Sequence, residues 1–278
     1  MTSLSEFNKF TSDLKIQDQI MPVLFIGHGS PMNGIEDNEF SLCWARMAKE
    51  IPTPSAVLVI SAHWLSEGTR ITAMDFPTTL HDFIGFPKSL YSVQYNVPGS
   101  PALARETVSL LHSTNAVLDH DWGLDHGAWT VVKHMYPEAI IPVLQLSIDY
   151  TKGPQYHFDL AKELYELRKK GVLIIGSGNM VHNLKMVDWN RINDREYGYD
   201  WALKMDHVFK KLINSGDPKP LINYENLGNA GRLAIPTPEH YLPLLYTLGL
   251  RGTNEAVSFF NEKAVGGSIT MTSVKIGA

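Results

Sequence analysis

The sequence predicts a single α/β domain with a central, mostly parallel sheet flanked by helices. Three observations predict it. Short apolar, β-branched runs recur along the 278 residues. Helical patterns with readable starts and stops lie between them. No internal repeat, low-complexity stretch or clear linker divides the chain.

The first 20 residues, MTSLSEFNKFTSDLKIQDQI, are polar and mixed in charge. They read as a surface extension or an added helix, and the domain proper as residues 21–278. The buried-strand runs are Pro22–Ile26, Ala56–Ser61, Ile140–Leu146 and Val172–Ile175. A last run, Ser268–Ile276, alternates and suits an edge strand or one with a half-exposed face. Between the strands, Asn38–Glu50 reads as an amphipathic helix. Ser100-Pro101 supplies an N-cap and a first-turn proline for a helix running to about Ser113. Asp159–Lys170 repeats Leu160, Leu164 and Leu167 and meets a stop at Gly171. Thr237-Pro238 should open a further helix with Glu239 and His240 in its first turn. The stretch Trp64–Pro98 is long, aromatic and rich in Pro and Gly, which suits the wall of a site.

Composition narrows the function. Lys and Arg number 24 against 29 Asp and Glu, a net charge of −5, and no basic stripe is present. Nucleic acid is therefore not an expected partner. No apolar run reaches the roughly 20 residues of a membrane span, so no membrane partner is expected. The amino end lacks the apolar core of a signal peptide. The single cysteine, Cys43, excludes an intramolecular disulfide and reads as a small hydrophobe on its helix. A cytoplasmic location is the expectation.

The 11 histidines carry the functional signal. Ligand sites in open α/β sheets gather at the C-terminal ends of strands. His28 follows PVLFI, His63 follows AVLVISA, and His182 follows VLIIGSG by a few residues. Three strand ends thus aim imidazoles at one rim, and a metal site there is the expectation. His126, in Leu124-Asp125-His126-Gly127, and His240, beside Glu239, lie on connecting segments. Neutral imidazole binds first-row metals and also moves protons near neutral pH. Glycines beside His28 and His126 allow close approach of backbone or substrate. Asn179 and Asn183 flank His182 and are candidates to orient its ring. His81, in the long aromatic stretch, could reach over the pocket. His112, His134 and His207 lie in helical patterns and read as packing or surface groups. No zinc-finger or HExxH spacing, full GxGxxG, P-loop or GxSxG elbow is present.

The segments GHGSPMN, ISAHW, TTLHDFIGFP, DHGAW, GSGNMVHN and PTPEHYLPLLY together resemble the 4,5-DOPA extradiol dioxygenase family, in its bacterial branch. The resemblance runs from about Pro22 to Ile276. This family belongs to the class III ring-cleaving dioxygenases, with the catalytic subunit of protocatechuate 4,5-dioxygenase. The resemblance implies a single catalytic domain over 21–278 with one divalent metal per chain. It implies His28 and His63 as ligands, with His240 in the position that is usually a glutamate in the wider group. His182 is implied as a ligand in zinc-loaded members and as an acid/base group in catalysis. His126 is implied as an acid/base group beside the metal.

The activity implied by the resemblance is extradiol, 4,5-cleavage of a catechol such as L-DOPA by O2. Fe(II) is expected for catalysis and Zn(II) as the metal found, because an all-histidine set brings no negative charge and suits zinc. His81 and Phe83 are candidate substrate contacts, and Phe86 and Tyr91 candidate apolar walls. Two other readings fit the same histidines. One is a zinc-dependent hydrolase that activates water. The other is a non-enzymatic binding protein on the same fold.

Overall fold

Successive residues of the strand Val23–Gly27 enter two different cores. Val23 and Phe25 pack into one cluster, Leu24 and Ile26 into the other. The strands Ala56–Ser66 and Val172–Gly178 divide in the same way. A period of two with both faces apolar is the signature of strands covered on both sides. The computed structural model describes residues 14–17, 19–192, 194 and 196–278.

The main sheet has eight strands. We number the strands in chain order: β1 Val23–Gly27, β2 Ala56–Ser66, β3 Arg70–Thr72, β4 Val117–Asp119, β5 Val143–Asp149, β6 Val172–Gly178, β7 Val257–Phe260, β8 Ala264–Val265, β9 Ile269–Thr270 and β10 Ser273–Ile276. The spatial order is β4-β3-β5-β2-β6-β1-β10-β7, while β8 and β9 pair separately. The central run β5-β2-β6-β1 is parallel throughout. Antiparallel pairs flank it on both sides, β3 with β5 and β10 with β1 and β7.

Helices cover both faces. Pro101–Leu110, Pro154–Glu163, Asp200–Ser215 and Leu242–Gly249 contribute Leu103, Leu160, Phe209 and Leu245 to one core. Glu39–Glu50 and His126–Met135 contribute Trp44 and Trp129 to the other. Asn38 caps the first of these two in a full capping box with Ser41, as its polar side chain before an apolar pattern predicts. Cys43 is half-buried on it. No helix among the described residues is long and apolar enough to cross a membrane.

Several expectations need correction. The alternating run Ser268–Ile276 is neither an edge strand nor half exposed. It forms β9 and β10, and β10 lies inside the sheet between β1 and β7. The Ser268 and Ser273 hydroxyls bury here by donating to the Asn183 and Met271 carbonyls, whereas those of Thr270 and Thr272 are buried without a hydrogen-bond partner among the described residues. The helix expected over Asp159–Lys170 starts earlier, at Pro154, and breaks at Leu164 before resuming over Tyr165–Lys169. The Ser100-capped helix ends at Leu110, so His112 lies beyond it, its N–H bonded to Glu163. Thr237-Pro238 opens a turn, and the helix begins only at Leu242. The stretch Trp64–Pro98 is not all loop: β2 runs on to Ser66, and it includes β3 and the short helix Lys88–Tyr91. The extension expected over 1–20 lies mostly outside the described residues. Of its described part, Leu14 packs on the first core and the Gln17 N–H donates to the Lys169 carbonyl.

Candidate metal centre

Each histidine of the site is delivered by a different local device. His28 is the first residue past β1, and its N–H still donates to the Gly178 carbonyl of β6. His63 sits on an irregularity in β2. Between the pairs Ile60↔Leu146 and Leu65↔Ile148, residues 61–64 of β2 stand against residue 147 alone of β5. Such bulges redirect side chains beside active sites. His240 arrives from the turn before the helix Leu242–Gly249. Its carbonyl accepts the Asn179 N–H at 2.8 Å, and Gly178 makes that approach possible. A Cβ on Gly178 would collide with the His240 carbonyl oxygen.

One nitrogen each from His28, His63 and His240 lies within 4.8 Å of the other two. The Nε2 atoms of His28 and His63 are 3.1 Å apart. The outer nitrogens identify the tautomers. Ser177 spends its hydroxyl proton on the Gly127 carbonyl (2.5 Å), so its oxygen accepts from Nδ1–H of His28 at 3.0 Å. The His63 Nδ1 faces an Asp82 oxygen at 3.5 Å, and the His240 Nδ1 faces a Glu239 oxygen at 3.4 Å. Each ring is therefore backed by an acceptor and turns the lone pair of Nε2 inward, as metal-binding imidazoles do. Inward lone pairs this close repel unless a cation lies between them. Metal–nitrogen bonds of about 2.0–2.1 Å put two neighbouring donors roughly 3 Å apart, so the residues present fit a divalent metal.

Electrostatics agrees with neutral rings. Burial, then the neighbouring imidazoles, holds His28 and His63 well below the ordinary histidine range. Burial also lowers His240, although Glu239 pulls the other way. His182 is lowered to about 3, first by burial and then by His240.

Two further histidines bracket the trio. The His126 ring is 3.8 Å from that of His63, and the His182 ring stacks on that of His240 at 3.6 Å. His126 begins a helix whose N-cap, Asp125, is fully buried and bonded to Ser61, Gln145 and the Ala128 N–H. His182 groups with Glu239 and His240 rather than with the converging trio. Asn179 and Asn183 do not orient its ring. Their side-chain amides donate to the Thr270 and Leu233 carbonyls, which fixes backbone instead.

All five histidines line a cavity of about 800 Å³, whose walls include Phe86, Trp189 and Met271. His81 and Phe83 are not among its lining residues. The His81 Nε2 bonds to the Val93 carbonyl at 3.0 Å, and the Phe83 ring meets His126 edge to face at 5.7 Å. Tyr91 reaches the Phe83 carbonyl with its hydroxyl. Asp82, between His81 and Phe83, carries no signal in the sequence that singles it out. Its Oδ1 accepts the His126 backbone N–H and its Oδ2 accepts Nδ1–H of the ring, both at 2.9 Å. Burial alone would raise this carboxyl, but the bonds from His126 outweigh it and hold it below its usual range.

Residues 22–273 match the family described as the catalytic LigB subunit of aromatic ring-opening dioxygenase. The chain is 44% identical over 269 residues to a 4,5-DOPA dioxygenase extradiol of Escherichia coli (strain K12), covering 95% of this chain and 98% of that one. It is 35% identical over 266 residues to the 4,5-DOPA dioxygenase extradiol of Beta vulgaris, covering 93% and 97%. In fold it is similar to an uncharacterised protein of Escherichia coli K12 known from a crystal structure. That match has a TM-score of 0.80 and 42% identity, covering 92% of this chain and 100% of the other.

Proposed function

Because the chain belongs to the family of the catalytic LigB subunit of aromatic ring-opening dioxygenases, we propose that it cleaves a catechol such as L-DOPA at the 4,5 bond, with O2 as co-substrate. The observation that carries the reading is the convergence of His28, His63 and His240, each with an acceptor behind Nδ1. These three would hold one metal ion, Fe(II) for turnover. Bound there, Fe(II) would supply the redox link between catechol and O2.

The chain's own groups handle position and protons. His182, kept neutral by burial, accepts a catechol hydroxyl proton on a ring nitrogen. His126 has Nδ1–H committed to Asp82, so its Nε2 lone pair takes up the second catechol hydroxyl proton and returns it to the opening ring. The apolar walls at Phe86, Trp189 and Met271 receive the aromatic ring and limit water. Glu36 also lines the cavity and has no ion-pair partner among the described residues, whereas Glu39 and Asp194 pair with Lys263 and Arg191. A free carboxylate there suits the ammonium group of an amino-acid catechol.

The histidine trio contributes no negative charge, so Zn(II) competes for the site. Protein purified in air is expected to carry zinc and to be inactive. Anaerobic reconstitution with Fe(II) should then give oxygen uptake and a yellow product with L-DOPA. Absence of uptake with every catechol tried would sink the proposal, and equal turnover by the zinc form would remove the redox mechanism.

A further inference from the structure

We propose that Asp82 is a positioning residue that sets, with one carboxylate, both a ring of the metal trio and the ring that passes the substrate proton. The proposal rests on the ring-opening reading for the meaning of its kinetics, but not for its geometry.

Asp82 grips His126 at two points. Oδ1 takes the backbone N–H and Oδ2 takes the ring Nδ1–H. A side chain held at its own backbone and at its ring keeps little rotational freedom. The same Oδ2 lies 3.5 Å from Nδ1 of His63, whose ring is 3.8 Å from that of His126. One oxygen therefore stands at the outer edge of both rings. An ionised carboxylate only accepts hydrogen bonds. His126 must then carry hydrogen on Nδ1 and present a lone pair at Nε2, and the same negative oxygen favours that form of His63 across 3.5 Å. For His63 that is the metal-binding form, and for His126 the form able to take up a proton.

The flanking residues explain how the carboxylate stays in place. His81 is tied to the Val93 carbonyl, and Phe83 packs edge to face on His126 itself. The expected substrate contacts thus brace Asp82 from either side. The next residues, Ile84, Gly85 and Phe86, line the cavity. Part of the cavity wall and the His126 tautomer are set by one short segment of chain.

The test is Asp82→Asn, compared with wild type as zinc-loaded protein by nitrogen NMR of the imidazoles and as iron-loaded protein by kinetics. An amide of the same size can still accept the His126 N–H, but it offers an N–H to Nδ1. We expect His126 to carry hydrogen on Nδ1 in wild type and on Nε2 in the variant. Zinc should remain at one per chain, KM for L-DOPA should change little, and kcat should fall about 10²-fold or more. An unchanged His126 tautomer in the variant, or kcat within about threefold of wild type, would overturn the proposal. The wild-type spectrum decides even if the variant folds badly, because a His126 without hydrogen on Nδ1 contradicts it directly. If wild type cleaves no catechol, the ring-opening reading fails while the tautomer result stands.

Discussion

Single side chains here work through their outer atoms. Ser177 donates its hydroxyl hydrogen bond to the Gly127 carbonyl and so favours one tautomer of His28; Asp82 and Glu239 back the other two rings of the trio. Away from the metal centre, His157 is fully buried with Nδ1 hydrogen-bonded to the Tyr246 hydroxyl, and burial lowers it from 6.5 to about 4. The sign comes from proton uptake. Below pH 6.5 the unfolded chain binds a proton that the folded chain refuses, so stability is lost as pH falls toward 4. At about 1.4 kcal/mol per unit, His157 accounts for on the order of 3 kcal/mol of acid sensitivity. His157→Gln should flatten the stability-versus-pH curve between pH 6.5 and 4 in urea titrations; an unchanged slope would refute the assignment. His28, His63 and His182 are legible in sequence because each follows an apolar strand run. Asp82 is not, because its partner His126 is 44 residues away. Asn179 and Asn183 mislead because adjacency in sequence says nothing of which neighbour an amide bonds.

At the scale of elements, the site depends on irregularities in regular strands. The bulge in β2 turns His63 inward, and the bare Cα of Gly178 lets the His240 carbonyl dock on the strand end. Gly178→Ala would press a methyl group into backbone, which cannot swing aside. It should cost about 1–3 kcal/mol and lower bound zinc. Gly153→Ala is the contrast, since nothing lies within 4 Å of its added Cβ. Urea midpoints and zinc content of the two variants check this, and equal behaviour would refute it. The central strands are readable from apolar runs alone. β3, β4 and β7 are not, being three or four residues long with exposed positions. The turn at Pro238 mimics a helix start because proline suits the first position of either.

For the whole molecule, the metal should act as a cross-link between segments far apart in sequence. His28, His63 and His240 belong to the beginning, the first quarter and the last fifth of the chain. A ligand that binds only the folded state at a thousand times its dissociation constant adds about 4 kcal/mol. Zinc should therefore raise the melting temperature by roughly 10 °C over chelator-treated protein in calorimetry. No shift would mean that the trio holds no ion. The fold class is legible as a whole because both faces of the parallel strands are apolar, whereas the antiparallel flanks rest on short pairings between distant segments. One of those pairings also sets a schedule. Val23 in β1 lies opposite Ile276 in β10, so the strand that delivers His28 has a bare edge until the last residues of the sheet have left the ribosome. Met271 and Thr270, which back Gly29 and Asn179, arrive equally late. The histidine-lined pocket therefore closes only when this late segment pairs, rather than piecemeal as the earlier strands emerge.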